Sequence, residues 1–335
     1  MPNAIKYNTS AETLALKKGN FWIGTGDVGK GPTSSTGFYN GITPPTGGYT
    51  IYLNKASGGP SIYTVNTEAQ MVSLTNSIGS QSFTTSGQCL NWFATQTDKM
   101  IFNRDYPGIV TDGLFLHFDG GFTPSYPTTN TNWYNVSPSG NNGTLINGPT
   151  YSSNNGGVIV FDGVDDYGTV ETTGAWGNNP FSITVACYPG FDQATYGRPM
   201  FTKWNNCGAG EFAFEYGRDN ISSGLPNKFS GLIGSGIAFE STNQYAKNNW
   251  YIVTFTYSST GNYKFFMNGV LETLGSTGQV PNLDGNYGIG RYDGCYPAVG
   301  GWMGNLGVIS LYNKVLSNNE VLQNYNVLKG RYGLS

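Results

Sequence analysis

From Ile109 to the end, this chain is written in short segments whose apolar side chains recur at every second residue, and that period dictates β-structure. In FSITVACY, Phe181, Ile183, Val185 and Cys187 share one face; in YIVTFTY, Tyr251, Val253, Phe255 and Tyr257 do the same. KFFMNGV carries Asn268-Gly269, a pair that tolerates positive φ and so favours the tightest hairpin turns. Many short strands separated by Gly/Asn turns predict a two-sheet antiparallel jelly-roll sandwich over 109–335. The 49 glycines and the 15% aromatic share serve the turns and the strands respectively, so the chain is expected to be mainly β. One helix should close it. Ser317 and Glu320 form a capping box, and Val321, Leu322, Tyr325 and Leu328 make an apolar stripe expected to pack on the sandwich.

The front of the chain reads differently. Residues 1–48 are dense in Gly, Pro, Thr and Ser without sustained periodicity, which predicts a linker or an extended arm that orders against a partner. Residues 49–108 predict a small α+β module. It has a strand at Tyr49–Leu53, turns over Lys55–Ser61, and a helix opened by Thr67 and Gln70 with Met71, Leu74, Thr75 and Ile78 at helical spacing. A second capping signal follows at Thr85 and Gln88, then a strand at Lys99–Asn103.

Several functions are short of parts. A net charge of −3 offers no basic field for nucleic acid. No apolar run approaches the roughly 20 residues that cross a bilayer, and the first 18 residues lack the apolar stretch of a secretory signal. The one histidine, His117, excludes a multi-His metal site; lying on an alternating strand, it reads as a structural residue paired with a neighbour. Four cysteines at 89, 187, 207 and 295 show no CxxC pair, which argues against zinc. They read as free thiols, with a Cys207–Cys295 bridge as the sharper alternative.

Gly24-Thr-Gly26-Asp-Val-Gly29 spells GxGxxG, but a phosphate loop needs a helix to follow, and Gly31-Pro32 will not start one. Asp162, Asp165 and Asp166 in FDGVDDY read as a turn whose carboxylates bond their own backbone, with calcium ligation as the alternative. No cofactor is otherwise expected. Sugar contacts would come from aromatic faces and planar polar groups in Gly/Asn-rich loops. Trp176, Trp204, Asn205, Arg291, Tyr292 and Asp293 sit in such segments, whereas Trp250 and Trp302 stand in strand-like context and should be core.

GLFLHFDGG (113–121), residues 125–151, VIVFDGVDDYGTV (158–170) and GNLGVISLYNKVLSNNEVLQNY (304–325) together resemble the laminin-G-like domains of the concanavalin A-like lectin/glucanase superfamily, in the version common in phage structural proteins. Residues 26–63 are similar to the front of marine phage virion proteins that carry such domains. The resemblance implies a two-sheet jelly roll and a place on a virion, assembled in the host cytoplasm and exposed on the particle. It further implies attachment to other virion proteins through residues 1–108, a homo-oligomeric state usual for virion appendages, and adhesion to host-surface glycans. GEFAFEYG is similar to the Glu-x-Asp-x-Glu strand of retaining endoglucanases in the same superfamily, which makes Glu211 and Glu215 the candidate nucleophile and acid/base. On a strand their Cα atoms stand about 13 Å apart, near enough for the side chains to converge. The central aspartate is Ala213 here, so the two glutamates read instead as a wet strand face, and the chain is expected not to be an enzyme. Three readings stay open: a structural protein that also binds glycans, a purely structural decoration protein, and a glycanase.

Overall fold

The computed structural model describes most of 109–334, with loop segments such as 173–178, 193–196, 204–211, 219–226 and 293–299 outside it. Before that it describes 68–84, parts of 88–92, and the backbones of five strands. Of these, β1 (Lys17–Lys18) pairs with β2 (Phe21–Trp22), and β3 (Tyr49–Leu53) lies between β4 (Ser61–Val65) and β5 (Lys99–Asn103). β4 follows the expected turns and occupies residues for which the sequence named no strand. A helix spans Glu68–Gly79 and buries Met71 and Thr75, with Leu74 and Ile78 half-buried. Met71 and Cys89 belong to the same apolar cluster as Ile109, Val110 and Leu316.

The rest is a sandwich of two antiparallel eight-stranded sheets. In chain order its strands are β6 (Leu114–Asp119), β7 (Asn132–Trp133), β8 (Gly143–Ile146), β9 (Thr150–Ser152), β10 (Val158–Asp162), β11 (Tyr167–Val170), β12 (Phe181–Pro189) and β13 (Arg198–Lys203). There follow β14 (Phe212–Tyr216), β15 (Phe229–Ile233), β16 (Gly236–Glu240), β17 (Tyr251–Tyr257), β18 (Asn262–Met267), β19 (Val270–Ser276), β20 (Tyr287–Ile289) and β21 (Met303–Tyr312). One sheet runs β19-β18-β17-β12-β21-β10-β9, with β6 also on β21; the other runs β16-β15-β14-β13-β20-β11-β8-β7.

The alternating residues named above all point into the sandwich: Phe181, Ile183, Val185 and Cys187 from β12 meet Tyr251, Val253, Phe255 and Tyr257 from β17 in one core. Aromatic rings carry much of that core; Phe239 lies parallel to Phe255 with centroids 4.6 Å apart. Trp302 is fully buried and Trp250 nearly so, as expected of core tryptophans. The β18–β19 hairpin turns on Asn268 (φ 50°) and Gly269 (φ 78°). A Cβ at Gly269 would also lie 2.9 Å from the ring of Tyr325, so both backbone and space require glycine there.

The middle of the first sheet, β12, β17 and most of β21, is buried on both faces, where alternation predicts burial of one. Ser182, Thr184, Thr254, Thr256 and Ser310, on its outer side, are all within 2% of full burial. The cover is the C-terminal helix, Asn318–Leu328, and the 3₁₀ turn Lys329–Tyr332. The capping box forms as expected, Ser317 Oγ accepting from Glu320 N while Glu320 accepts from Ser317 N at 2.8 Å. Val321, Tyr325 and Leu328 face the sheet, but Leu322 is 44% exposed; Asn324 and Val327 are buried instead. Asn324 is buried because it works: Nδ2 donates to Tyr312 Oη at 3.0 Å and Oδ1 accepts from Val110 N at 2.7 Å.

His117 lies under this cover, its Nδ1 2.9 Å from Ser310 Oγ. Burial, against the attraction of Asp119 and with the repulsion of Arg331, lowers its pKa to about 4. Below the ordinary value of 6.5 the unfolded chain binds a proton that the folded chain refuses until about pH 4, so stability falls as pH drops through that window. The loss is about 3 kcal/mol in all. Because the chain has no other histidine, chemical denaturation at pH 7, 6, 5 and 4 should show this slope, and His117→Gln should remove most of it above pH 5. An unchanged slope in that variant would refute the assignment.

Candidate functional site

The outer face of the second sheet is where the sequence candidates and the polar chemistry converge. On β14, Phe212, Phe214 and Tyr216 enter the core, so Ala213 and Glu215 face outward. Glu215 is not on a wet face, as the alternation suggested; it is fully buried. The side chain of Arg218 lies along it, Nε donating to Oε1 and Nη2 to Oε2, the latter at 2.9 Å. Ser230, its cross-strand neighbour on β15, donates to Oε1 at 2.8 Å, and Tyr292 donates to Oε2. Both carboxylate oxygens therefore hold two partners each, which exhausts their lone pairs. Burial opposes the charge on Arg218, yet the hydrogen bond and charge of Glu215 outweigh it and raise its pKa; burial first, then Glu215, raises that of Tyr292.

Tyr292, read from sequence as a sugar contact, is 3% exposed and packs with Ala213 and Leu232. Its neighbour Arg291 is half-buried and lies over the ring of Tyr167, guanidinium carbon 4.1 Å from the centroid. Trp176, Trp204, Asn205, Asp293 and Glu211 lie outside the described residues, as do Cys207 and Cys295 and the glycine motif at 24–29. Cys89 and Cys187 are both buried, and Cys187 is a free thiol.

A register row crosses this sheet at right angles to its strands. Asn132, Thr144, Thr169, Gly288, Thr202, Ala213 and Leu232 are successive cross-strand partners from β7 to β15. Core residues flank each of them along its strand, Leu145 and Val170 for example, so the row faces outward. The segment after β20 folds across its middle: Arg291 O accepts from Thr202 Oγ1 at 2.9 Å, and a Cβ at Gly288 would come within 2.9 Å of that same carbonyl. The face is thereby split in two. Over β13–β15 it is closed by Tyr292; over β7, β8 and β11 it is open, with Asn132 and Thr144 exposed and Ile146, Tyr167 and Thr169 half-buried. Sequence reading missed Asn132, Thr144, Tyr167 and Thr169, which carry no local signal beyond an alternating strand.

Asp162, Asp165 and Asp166 meet at the turn leading into β11, their ligand atoms all within 4.8 Å of one another. Val164 N donates to Asp162 Oδ1 at 2.8 Å and Asp162 N to Asp166 Oδ2 at 3.0 Å, the self-bonded turn that the sequence predicts. Burial, then the neighbouring carboxylates, raises the pKa of Asp166 against the hydrogen bond from Asp162.

The comparisons with known proteins bear on the fold. No curated protein matches the chain by sequence. Among solved structures, domain 4 of an extracellular arabinanase from Geobacillus stearothermophilus, solved with arabinotriose, is 13% identical, with a TM-score of 0.48 over 64% of this chain and 100% of that domain. The sialidase of Trypanosoma rangeli is 15% identical, with a TM-score of 0.47 over 65% of this chain, and the match spans only 33% of the sialidase. The binding domain of Paraclostridial Mosquitocidal Protein 1 is 11% identical, with a TM-score of 0.48 over 64% of this chain and 52% of that one. A family model described as the concanavalin A-like lectin/glucanases superfamily (Laminin_G_3) matches residues 162–322, the stretch from the acidic turn to the C-terminal helix. Residues 162–322 are thus a concanavalin A-like lectin/glucanase domain.

Proposed function

We propose that the sandwich is a glycan-binding module and not a hydrolase. The observation that carries this is the division of the outer face of the second sheet. Its closed half holds the one described carboxylate of the glutamate pair, Glu215, with every oxygen lone pair engaged by Arg218, Ser230 and Tyr292, so none is left to protonate a leaving group or attack an anomeric carbon. Its open half offers a shallow platform of amide and hydroxyl groups beside a stacked guanidinium, suited to sugar hydroxyls. The lectin/glucanase description of the matching family supports sugar as the ligand.

The similarity of residues 26–63 and of the sandwich segments to phage virion proteins supports a place on a phage particle, in several copies, with residues 1–108 attaching the chain and the sandwich displayed outward. Polysaccharide panels read for retention and for released reducing ends test the module. Retention without turnover is expected. Turnover that Glu215→Gln abolishes, or no retention by any polysaccharide, would overturn the reading. Antibodies against the sandwich should label intact particles, while antibodies against residues 1–48 should not.

A further inference from the structure

We infer that the open half of this face takes an anionic polysaccharide, with Arg291 receiving its acidic group; this rests on the glycan-binding reading above. Stacking on Tyr167 occupies the flat face of the Arg291 guanidinium, and Nε is directed to Tyr292 O at 3.4 Å. The in-plane edge that remains carries paired N–H donors, the geometry that matches a carboxylate or a sulfate ester through two parallel hydrogen bonds. Three other packed cations have an acid of their own, Arg218 with Glu215, Lys228 with Glu240 and Arg331 with Asp119, and Arg198 donates Nη1 to the carbonyls of Gly163 and Gly301 at 3.0 and 2.7 Å. Arg291 has no ion pair among the described residues. A neutral sugar would leave that charge, half-removed from water, without a counter-charge.

The neighbours of Arg291 fit a chain of sugars. Thr169, Thr144 and Asn132 continue away from it in a row across β11, β8 and β7, one uncharged polar side chain per strand at about 4.8 Å spacing. Hydroxyl and amide groups at that interval suit a polymer rich in hydroxyls with an acidic group at one position. A nucleic acid would need cations repeated along its phosphates, and this row has one. The exposed carboxylates of Asp162 and Asp165 stand at the turn that leads into β11, so like-charge repulsion directs the polymer across β8 and β7 instead of over the turn.

Affinity electrophoresis of the full chain, in gels containing polygalacturonate, dextran sulfate, neutral dextran or single-stranded DNA, tests this. Retardation by polygalacturonate or dextran sulfate but not by dextran is expected, and which of the two acts separates carboxylate from sulfate recognition. Arg291→Ala should weaken it roughly tenfold or more. Thr144→Glu, at an exposed position that leaves the fold intact, should weaken it likewise by repulsion. Equal retardation by dextran with no effect of Arg291→Ala would overturn the anionic class while leaving glycan binding in place. Retardation by none of the polysaccharides would overturn both, and stronger retardation by DNA would overturn the choice of polymer.

Discussion

Replacing Arg331 by alanine is expected to destabilise the sandwich by roughly 3–5 kcal/mol, the cost of leaving a buried acid without its partner. Arg331 sits in the 3₁₀ turn at the end of the chain, and its Nη1 donates to Asp119 Oδ1 at 2.6 Å, with both side chains at most 1% exposed. Nε donates to Asn155 O at 2.6 Å, and Nη2 donates to Gly157 O. One side chain therefore joins the chain end to β6 and to the turn before β10. Beside it, Tyr332 packs on Trp250 with centroids 4.3 Å apart, and Trp250 Nε1 donates to Asn155 Oδ1 at 3.1 Å. Loss of the guanidinium strands Asp119 and two carbonyls and loosens the cover over His117. Thermal and urea unfolding should register a fall in melting temperature of about 10 °C. Arg331→Met combined with Asp119→Asn should cost much less than Arg331→Ala alone, because no charge is left buried. If the single variant were as stable as the parent, the clamp would be refuted.

The second large effect is expected at Glu215. Glu215→Ala leaves Arg218, which is 7% exposed, without its counter-charge and Tyr292 without its acceptor, again a loss of roughly 3–5 kcal/mol. Arg218→Met together with Glu215→Leu should recover most of it. Unfolding curves of the three variants decide whether the pair is an architectural element of the closed half. A catalytic glutamate gives the opposite pattern, a stable variant with lost turnover. Loss of stability with unchanged retention on polysaccharide gels is the outcome that matches the division of the face into closed and open halves.

Features encoded within a few residues were legible in the sequence. The Asn268-Gly269 hairpin, the Ser317–Glu320 capping box, the inward sets of β12 and β17 and the self-bonded aspartate turn are each specified by adjacent residues, since turn geometry, helix caps and strand alternation are local physics. The misreadings came from contacts distant in the chain. Leu322 is exposed and Asn324 buried because the helix is oriented by Tyr312 and Val110, partners that no helical period reveals. Glu215 reads as wet on its own strand; Tyr292, 77 residues later, folds over it.

By itself, then, the sequence determined a β-sandwich with its inward faces, its tightest turn and its closing helix, because the period of two and the residues tolerant of positive φ admit little else. Only the tertiary structure decided which outer faces meet water. The chain end covers the middle of one sheet through Arg331 and Tyr332, and the Arg291–Tyr292 segment covers half of the other. Burial of an outer face depends on what the rest of the chain lays across it, and an alternating strand looks the same in either case.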